Sequence, residues 1–308
     1  MFTQENLKQA KLLVVGDIML DRYSFGDTQR ISPEAPVPIV LIQKNEERLG
    51  AAANVARNSA ALGAKTGLLG VIGNDEAGQH IMQLLDSAQI TSHLHIEPGA
   101  TTTIKQRILA RQQQLLRMDF DHHPKPSIVM QTTDTFKSII HDYQVIVLSD
   151  YGKGGLAQVV DKISIAKAAQ KQILIDPKGS DYRCYKGATL ITPNRNELRM
   201  VVGQWRDEED LTMRAQNLRE QLQLSALLLT RSEEGMTLYT EKQILNVPTQ
   251  AREVYDVSGA GDTVIAVLAV TLALGMPLTE AVHYANQAAG LVVSKLGTAT
   301  VSYQELFV

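Results

Sequence analysis

The sequence predicts an α/β fold with a central, mainly parallel sheet that carries helices on both faces. Apolar runs of strand length recur along the chain, for example at 12–17, 66–73 and 145–150, and segments of helical pattern separate most of them. Strands that alternate with helices form parallel sheets, which are covered on both faces and therefore have continuously apolar strands. The length of 308 residues suffices for one large α/β domain or two small ones.

The other elements follow the same alternation. We expect further strands at 172–177, 188–194 and 225–232. We expect helices at 51–63, 75–88 and 156–170. Ligands of open parallel sheets bind beyond the carboxyl ends of the strands. The polar residues that end four of the predicted strands should therefore gather along one edge, namely Asp17, Asp150, Asp176 and Asn194.

Two stretches, 22–45 and 101–120, depart from this pattern. The first contains three prolines and short extended runs, and the second begins with β-branched residues and continues with polar ones. We predict that they pair as a small β lid that excludes water from an active site. No long linker interrupts the chain, so we expect one domain over 1–308 that includes this lid. Since unpaired strand edges bind other edges, the lid also predicts a homodimer.

The composition argues against several classes of protein. The net charge of −3 is not that of a nucleic-acid-binding surface. No apolar run reaches the roughly 20 residues of a membrane span, and none near the start has the length of a signal peptide. The single cysteine, Cys184, excludes an intramolecular disulfide and a multi-cysteine metal site. We therefore expect a cytoplasmic protein without nucleic-acid or membrane partners.

The strongest motif is DVSGAGDT at 256–263, which precedes an apolar helix. The backbone N–H groups of Gly259, Ala260 and Gly261 can point into one concavity at the helix N-terminus, where anions bind. Asp262 can take a proton from a substrate hydroxyl in the same loop. Phosphoryl transfer needs little beyond positioning, a metal and charge stabilisation. The alternative is an ordinary helix cap, because Asp and Ser often precede helices.

The motif TPNRNE at 192–197 is a candidate for the metal side of such a site. Asn194 and Glu197 are three residues apart and share one face of a helical turn. An amide and a carboxylate there can hold a hydrated Mg²⁺ beside nucleotide phosphates. The alternative is again a helix cap.

Two motifs near the start are candidates for sugar binding. Asp17 and Asp21 in GDIMLD follow a predicted strand, where carboxylates bind sugar hydroxyls, although a solvated turn has the same composition. In LGAAANVARN at 49–58, Gly50 permits close backbone approach and Asn54 can bind a sugar. Small residues in that stretch are also typical of tight helix packing.

Two other classes of function are disfavoured. No Walker A motif is present, and no GxGxxG follows the first strand, which argues against a nicotinamide dehydrogenase. A non-catalytic nucleotide-binding regulator would have lost its base, whereas Asp262 is present. The histidines lack HExxH spacing and receive no metal role.

Taken in order, these motifs resemble those of the ribokinase-like (PfkB) carbohydrate kinases. The DTxGAGD-type signature of that family is matched by 256–262, its NxxE motif by 194–197, and its early Gly/Asn pattern by Asn54, Gly63 and Gly73. One departure is that Gly50 is followed by Ala51 instead of a second glycine. The resemblance implies a three-layer ribokinase-like fold, ATP as phosphoryl donor and Mg²⁺, with K⁺ as a further option.

The resemblance also implies roles for individual residues. Asp262 would be the catalytic base, and Gly259, Ala260 and Gly261 the anion hole. The nucleotide and metal side would comprise Asn194, Arg195, Asn196, Glu197, Thr230, Ser232, Gly235, Asp256 and Asn286, with Glu197 holding the metal through water. The sugar side would comprise Asp17, Asp21, Gly50 and Asn54. A phosphate on the sugar needs cations, for which the candidates are Lys105, Arg107, Arg117 and Lys178. The alternative for the first three is a solvated lid strand.

Stretches at 30–38, 150–154, 174–179, 190–194 and 293–302 are similar to the branch of this family that phosphorylates heptose 7-phosphate. This similarity implies conversion of D-glycero-D-manno-heptose 7-phosphate to the 1,7-bisphosphate, a step towards ADP-heptose for lipopolysaccharide core. In many bacteria the kinase is joined to a nucleotidyltransferase, a domain that we do not expect within 1–308. The main alternative is a kinase of another sugar, sugar phosphate or nucleoside. A nucleoside kinase would not need basic residues around the sugar.

Overall fold

Thirteen strands are present in the computed structural model, which describes residues 3–111, 113–250 and 254–308. In chain order they are β1 (Lys11–Gly16), β2 (Ile18–Ile31), β3 (Pro38–Ala51), β4 (Lys65–Gly73), β5 (Thr91–Glu97), β6 (Thr103–Ala110), β7 (Gln113–Phe120), β8 (Val145–Ser149), β9 (Gln172–Asp176), β10 (Leu190–Ile191), β11 (Ala226–Thr230), β12 (Met236–Thr240) and β13 (Ile244–Val247). Residue 112 of the predicted lid lies outside the described residues.

Ten α-helices connect or flank these strands in the same described ranges. They are α1 (Gln4–Leu7), α2 (Ala52–Ala61), α3 (Glu76–Ser87), α4 (Pro126–Ile139), α5 (Val159–Ala168), α6 (Arg195–Val202), α7 (Glu208–Gln221), α8 (Ala260–Ala273), α9 (Leu278–Val292) and α10 (Tyr303–Phe307). In the part of the chain that the structure describes, no helix combines the length and apolar character needed to cross a membrane.

The central sheet has nine strands in the order β13-β12-β11-β10-β9-β8-β1-β4-β5 within the described residues. Its strands are parallel from β11 to β5, while β12 and β13 add an antiparallel edge. In the register of the central strands, Val14 lies opposite Leu68 of β4 and Val147 of β8. The predicted mainly parallel sheet is therefore confirmed.

The two faces of the sheet support separate apolar layers. Successive strand residues point to opposite faces, so Leu12 and Val14 pack in one cluster with α2, α8 and α9. Leu13 and Val15 pack in the other cluster with α4, α5 and α7. Helix α8 is buried without interruption from Asp262 to Thr271. The molecule thus has three layers, with α8 deep inside one of them.

Strand β10 is shorter than the predicted 188–194 strand. It pairs with its neighbours through Leu190 and Ile191. The Thr192 N–H still donates to the Ile175 carbonyl oxygen, but Pro193 has no N–H to extend the ladder. Helix α6 follows directly, so the residues that were assigned to the end of a strand instead form a helix start.

The two segments of the predicted lid lie in a second, four-stranded sheet with the order β3-β2-β6-β7 within the described residues, and this sheet is called the lid below. Segment 22–45, predicted to form short runs, instead belongs to two strands of 14 residues each that reach from 18 to 51. The connection at 32–37 is closed by a hydrogen bond from the Ser32 N–H to the Val37 carbonyl oxygen. Prolines 33 and 36 lie in this connection and Pro38 starts β3, where a missing N–H is tolerated.

Candidate active site

Asp262 lies in the first turn of α8, at the junction of the central sheet and the lid. The helix is preceded by Gly259, which has a left-handed φ of 77°. A Cβ atom at Gly259 would come within 2.8 Å of Asn54 Nδ2, so a side chain there would clash as well as strain the backbone. The Asp262 residue is 3% exposed. The glycine-rich loop therefore delivers a carboxylate into a buried position.

Two neutral donors hold the Asp262 carboxylate. Asn54 Nδ2 donates to Oδ2 at 2.7 Å, and the Tyr151 hydroxyl donates to Oδ1 at 2.7 Å. Burial raises the pKa of Asp262 to about 6, against the opposing effect of the hydrogen bonds from Asn54 and Tyr151. A base is most effective when its pKa lies near the working pH. Asp262 is therefore mainly ionised at neutral pH and still basic enough to accept a proton.

Side chains of α2 and α8 hold Asn54, which donates to this carboxylate, in place. Asn58 Nδ2 donates to the Asn54 carbonyl oxygen at 2.9 Å, and Thr263 Oγ1 donates to Asn58 Oδ1 at 3.1 Å. At Gly50, a Cβ atom would come within 2.6 Å of Asp21 Oδ2. The predicted residues Gly50, Asn54 and Asp21 thus lie around Asp262.

The predicted anion hole at 259–261 is only partly available. The Ala260 N–H donates to the Val257 carbonyl oxygen at 3.2 Å, which corrects its assignment as a free donor. The N–H groups of Gly259, Gly261 and Asp262 have no acceptor among the described residues. Unpaired N–H groups in the first turn of a helix, together with its dipole, attract anions. The backbone N–H of Asp262 is therefore a further anion donor, in addition to those that the motif predicts.

A cavity of about 470 Å³ opens beside this helix start. Its walls include the apolar side chains of Met236, Val257, Val264 and Val293, together with Gly261. Six of the residues predicted to bind nucleotide also line it: Asn194, Glu197, Thr230, Ser232, Gly235 and Asn286. An apolar slot with a few polar groups and an anion-binding end fits a nucleotide.

The NxxE motif forms a capping box at the start of α6. The Glu197 N–H donates to Asn194 Oδ1 and the Asn194 N–H donates to Glu197 Oε2, both at 3.0 Å. The other carboxylate oxygen of Glu197 accepts from Lys178 Nζ at 2.9 Å. Among the described residues, no group of three or more metal-ligating side chains is assembled. Both oxygens of the Glu197 carboxylate thus accept hydrogen bonds within the protein, and a carboxylate of this kind fits a divalent metal bound through water.

Three of the nine predicted nucleotide-side residues do not line the cavity, namely Arg195, Asn196 and Asp256. Arg195 forms an ion pair with Glu234 at 2.6 Å, and Asn196 is exposed on α6. Successive helix residues project in different directions, so the neighbours of Asn194 and Glu197 point elsewhere. We correct the assignments of Arg195 and Asn196 accordingly.

Two predicted carboxylates bind backbone instead of facing open space. Asp17 accepts from the N–H groups of residues 151, 153 and 155. Asp256 accepts from the N–H groups of Ser258 and Gly297, at 2.8 and 2.9 Å. Both side chains hold loops in place beside Asp262. The four strand-end residues Asp17, Asp150, Asp176 and Asn194 do lie along one edge of the sheet.

The four predicted cations have different surroundings. Arg107 Nη1 pairs with Asp21 Oδ1 at 2.5 Å, and Arg117 pairs with Asp119 at 2.9 Å on the exposed strand β7. Lys105 Nζ lies 5.4 Å from the centroid of the Tyr151 ring.

Lys105 is half-buried and has no ion pair among the described residues. Of the three predicted lid cations, Lys105 is therefore the one that is not ion-paired with a described carboxylate. The fourth candidate, Lys178, contacts Glu197 beside the nucleotide cavity, away from the lid cations.

Sequence reasoning missed two residues of the site, Tyr151 and Asp176. Burial raises the pKa of Asp176 well above its ordinary value, as do the nearby charges of Asp262 and Glu197. Tyr151 belongs to the quoted stretch DYGKG, but nothing in that stretch shows that its hydroxyl meets a residue 111 positions away. Asp176 was expected only at the sheet edge.

Comparison with known proteins places the chain in a family. The model of the pfkB family carbohydrate kinases matches residues 9–305. A D-beta-D-heptose 7-phosphate kinase of Bordetella bronchiseptica is 50% identical over 305 residues, which cover 99% of this chain and 97% of that protein. The bifunctional protein HldE of Pasteurella multocida is 52% identical over 97% of this chain, but the match spans 63% of HldE.

Solved structures share the fold at low sequence identity. Escherichia coli phosphofructokinase-2, in complex with substrates and products, superposes with a TM-score of 0.83 at 18% identity, over 96% of both chains. Arabidopsis thaliana ribokinase, complexed with ribose and ATP, superposes with a TM-score of 0.75 at 18% identity, over 96% of this chain and 95% of that one. Together with the family match along nearly the whole chain, these findings show that this protein belongs to the pfkB family of carbohydrate kinases.

Proposed function

We propose that the chain transfers the γ-phosphoryl group of ATP to the anomeric hydroxyl of D-glycero-D-manno-heptose 7-phosphate. The product would be the 1,7-bisphosphate, used to make ADP-heptose for lipopolysaccharide core. The observation that carries the proposal is the buried Asp262 carboxylate between the lid and the cavity beside α8. The choice of sugar is supported by the Bordetella relative, a D-beta-D-heptose 7-phosphate kinase.

In the proposed mechanism, Asp262 takes the proton of the anomeric hydroxyl while the hydroxyl oxygen attacks the γ-phosphorus of ATP, the bond from that phosphorus to the bridging oxygen breaks, and ADP leaves. The N–H groups of Gly259, Gly261 and Asp262 face the oxygens of the transferring group and stabilise their charge. Asn54 keeps the base oriented through its 2.7 Å hydrogen bond. The Asp21 carboxylate, positioned by Arg107, is the proposed partner of a sugar hydroxyl.

The nucleotide would occupy the cavity lined by Thr230, Ser232, Gly235 and Asn286. A divalent metal, for which we propose Mg²⁺, would neutralise phosphate charge when bound. Glu197 would hold this metal through water, while the Glu197 carboxylate also accepts the hydrogen bond from Lys178. A K⁺ requirement stays a prediction from the family resemblance.

The lid would close over the sugar and supply a cation for its phosphate. On β6, residues two apart share a face, so Lys105 and Arg107 point to the same side as Asp21 in the paired strand β2. Arg107 is neutralised by Asp21, whereas Lys105 has no ion pair among the described residues. We propose Lys105 as the principal lid contact of the sugar phosphate. Arg117 would contribute less because Asp119 binds it in an exposed position.

The lid is also the proposed dimer contact. Leu41, Ile42, Leu116 and Phe120 are all large apolar residues with high exposure on β3 and β7. Two copies of such a sheet can cover these side chains and pair their free edges.

The experiment that tests the function is ADP release with ATP and Mg²⁺ over a panel of acceptors. The panel contains heptose 7-phosphate, fructose phosphates, ribose and adenosine, and Asp262→Asn is assayed in parallel. We expect turnover of the heptose 7-phosphate and a loss of about 10²- to 10⁴-fold in Asp262→Asn, the usual effect of removing a general base. The matched control is Asp161→Asn, an exposed carboxylate on α5.

The possible results separate the parts of the proposal. Preferred turnover of another acceptor would contradict the substrate and leave the mechanism intact. Full activity of Asp262→Asn would contradict the base. Binding of ATP without turnover of any acceptor would contradict the kinase function of this chain and favour a regulatory role.

A further inference from the structure

We propose that Tyr151 is a positioning residue of the phosphoryl transfer, which together with Asp17 fixes the Asp262 carboxylate in the orientation from which it takes the acceptor proton. This inference rests on the proposed function, because that function makes Asp262 the base. It goes further because it assigns a role to the loop 151–155 after β8. Neither the motifs nor the family match assigns a role to this loop.

The Tyr151 hydroxyl and the Asn54 amide hold opposite oxygens of the base. Tyr151 donates to Oδ1 and Asn54 to Oδ2, each at 2.7 Å. Two donors on different oxygens fix both the position and the plane of the carboxylate. Hydrogen bonds to a carboxylate favour its charged form. The Tyr151 hydroxyl therefore also counteracts the effect of burial, which raises the pKa of Asp262.

The backbone of Tyr151 is itself fixed by Asp17. The Asp17 carboxylate accepts from the N–H groups of Tyr151, Lys153 and Gly155 at 2.8, 3.0 and 2.7 Å. The loop wraps so closely that a Cβ atom at Gly155 would come within 2.7 Å of Asp17 Oδ1. Hydrogen bonds to an ionised acceptor are the stronger ones. Asp17 therefore acts on Asp262 through the loop that carries Tyr151.

The ring and the hydroxyl of Tyr151 have separate contacts. Lys105 Nζ lies over the ring, 5.4 Å from its centroid, where a cation is attracted to the π-face. Replacing Tyr151 with Phe keeps this contact and removes the hydrogen bond to Asp262. The substitution Tyr151→Phe therefore isolates the role of the hydroxyl.

Other charged groups also face Asp262 and stay in place in this variant. From the lid, Asp21 raises and Lys105 lowers the pKa of Asp262. From the sheet, the carboxyl of Asp176 interacts with it. Asn54, from α2, is neutral. A change in the titration of Asp262 in Tyr151→Phe would thus report the lost hydrogen bond.

The first test is a carboxyl-carbon NMR titration of the unliganded protein labelled at aspartate, with Asp262→Asn assigning the signal. We expect Tyr151→Phe to raise the pKa of Asp262 by about one unit, as for the loss of one hydrogen bond to a charged group. Because the base acts when ionised, the acid limb of kcat/KM should move up in pH by the same amount. With the pKa of Asp262 moving from about 6 to about 7, kcat/KM should fall about twofold at pH 7 and about tenfold at pH 5, and it should recover as the pH rises, with the KM for ATP unchanged.

The second test concerns Asp17. We expect Asp17→Asn to shift the titration of Asp262 in the same direction, and the double variant to shift it no further than Tyr151→Phe alone. A raised KM for the sugar phosphate without any shift would overturn the role of Asp17 as a loop anchor. The control is Tyr182→Phe, which removes a buried hydroxyl that has no hydrogen-bond partner among the described residues.

An unchanged titration of Asp262 in Tyr151→Phe would overturn the inference, as would an equal loss of activity at every pH. These results differ from a failure of the proposed function. If the wild type turns over no acceptor, that function fails, while the NMR titration of the unliganded protein still decides whether Tyr151 acts on Asp262.

Discussion

Ala51 adopts a backbone conformation that disfavours its own side chain. It precedes α2 with φ 52° and ψ −131°, a region that costs residues other than glycine about 1–3 kcal/mol. This is the position where the chain departs from the double glycine of the family. We expect Ala51→Gly to raise the free energy of unfolding by about 1 kcal/mol, since the added flexibility of the unfolded chain offsets part of the relieved strain. Urea denaturation measures it.

The control for this prediction is Ala53→Gly in the same segment. Ala53 lies inside α2, where glycine costs about 1 kcal/mol relative to alanine. The two substitutions should therefore change stability in opposite directions. Equal destabilisation by both would show that Ala51 carries no strain.

Among individual residues, the sequence predicted those whose roles depend on local geometry. The glycine-rich loop and Asp262 are adjacent in the chain, so the motif alone placed a carboxylate at a helix start. For Asn194 and Glu197, the same spacing allowed metal binding or capping, and the structure shows the cap. The Tyr151 contact could not be predicted, because Tyr151 and Asp262 are 111 positions apart in the chain and meet only when the loop after β8 and helix α8 pack together.

The packing of α4 against α5 includes a buried lysine. Lys162 is 0% exposed, and its Nζ donates to Thr133 Oγ1 at 2.9 Å, with no ion pair among the described residues. Burial lowers the pKa of Lys162 from 10.5 to about 8. We expect Lys162→Met to stabilise the protein at pH 7 by about 3 kcal/mol, because one pKa unit corresponds to about 1.4 kcal/mol. Thr133 keeps Gln158 as a partner in the variant.

The pH dependence of this gain follows from the direction of the shift. Below pH 8, Lys162 is charged in both the folded and the unfolded wild type, so the full cost of burial is present. Between pH 8 and 10.5 the folded state has released the proton while the unfolded state still binds it, so the cost falls as the pH rises. Stability curves of wild type and variant should therefore converge above pH 10. Lys167→Met, at an exposed position of the same helix, should show neither the gain nor the convergence.

Strands were predicted well where an apolar run is followed directly by a polar residue or a glycine. Strands β1, β4, β8 and β9 begin and end within a residue or two of their predicted positions. The lid strands are much longer than predicted, because half of each faces solvent and their polar residues conceal the pattern. Their length comes from pairing with each other over the whole hairpin, which is a property of two segments together.

For the whole molecule, the sequence predicted the class of fold but not the order of its strands. The alternation of strands and helices predicts a parallel sheet with helices on both faces. The structure has this sheet and an apolar layer on each of its faces. The order, with β1 between β4 and β8, depends on which strands meet after folding. The antiparallel edge of β12 and β13 was not predicted, since nothing in their composition differs from that of a parallel strand.

Assembly of the whole molecule gives the last prediction. Leu41, Leu116 and Phe120 are 57%, 50% and 52% exposed on the lid, and a monomer would leave this apolar surface in water. We expect the wild type to sediment as a dimer of the 33.8 kDa chain and Leu116→Glu to sediment as a monomer, because a dimer would bury the new charge without a partner. Met130→Glu, at a 57% exposed position of α4, should leave the dimer intact. A monomeric wild type at micromolar concentration would contradict the dimer, and a dimer that persists in Leu116→Glu would contradict a contact through the lid.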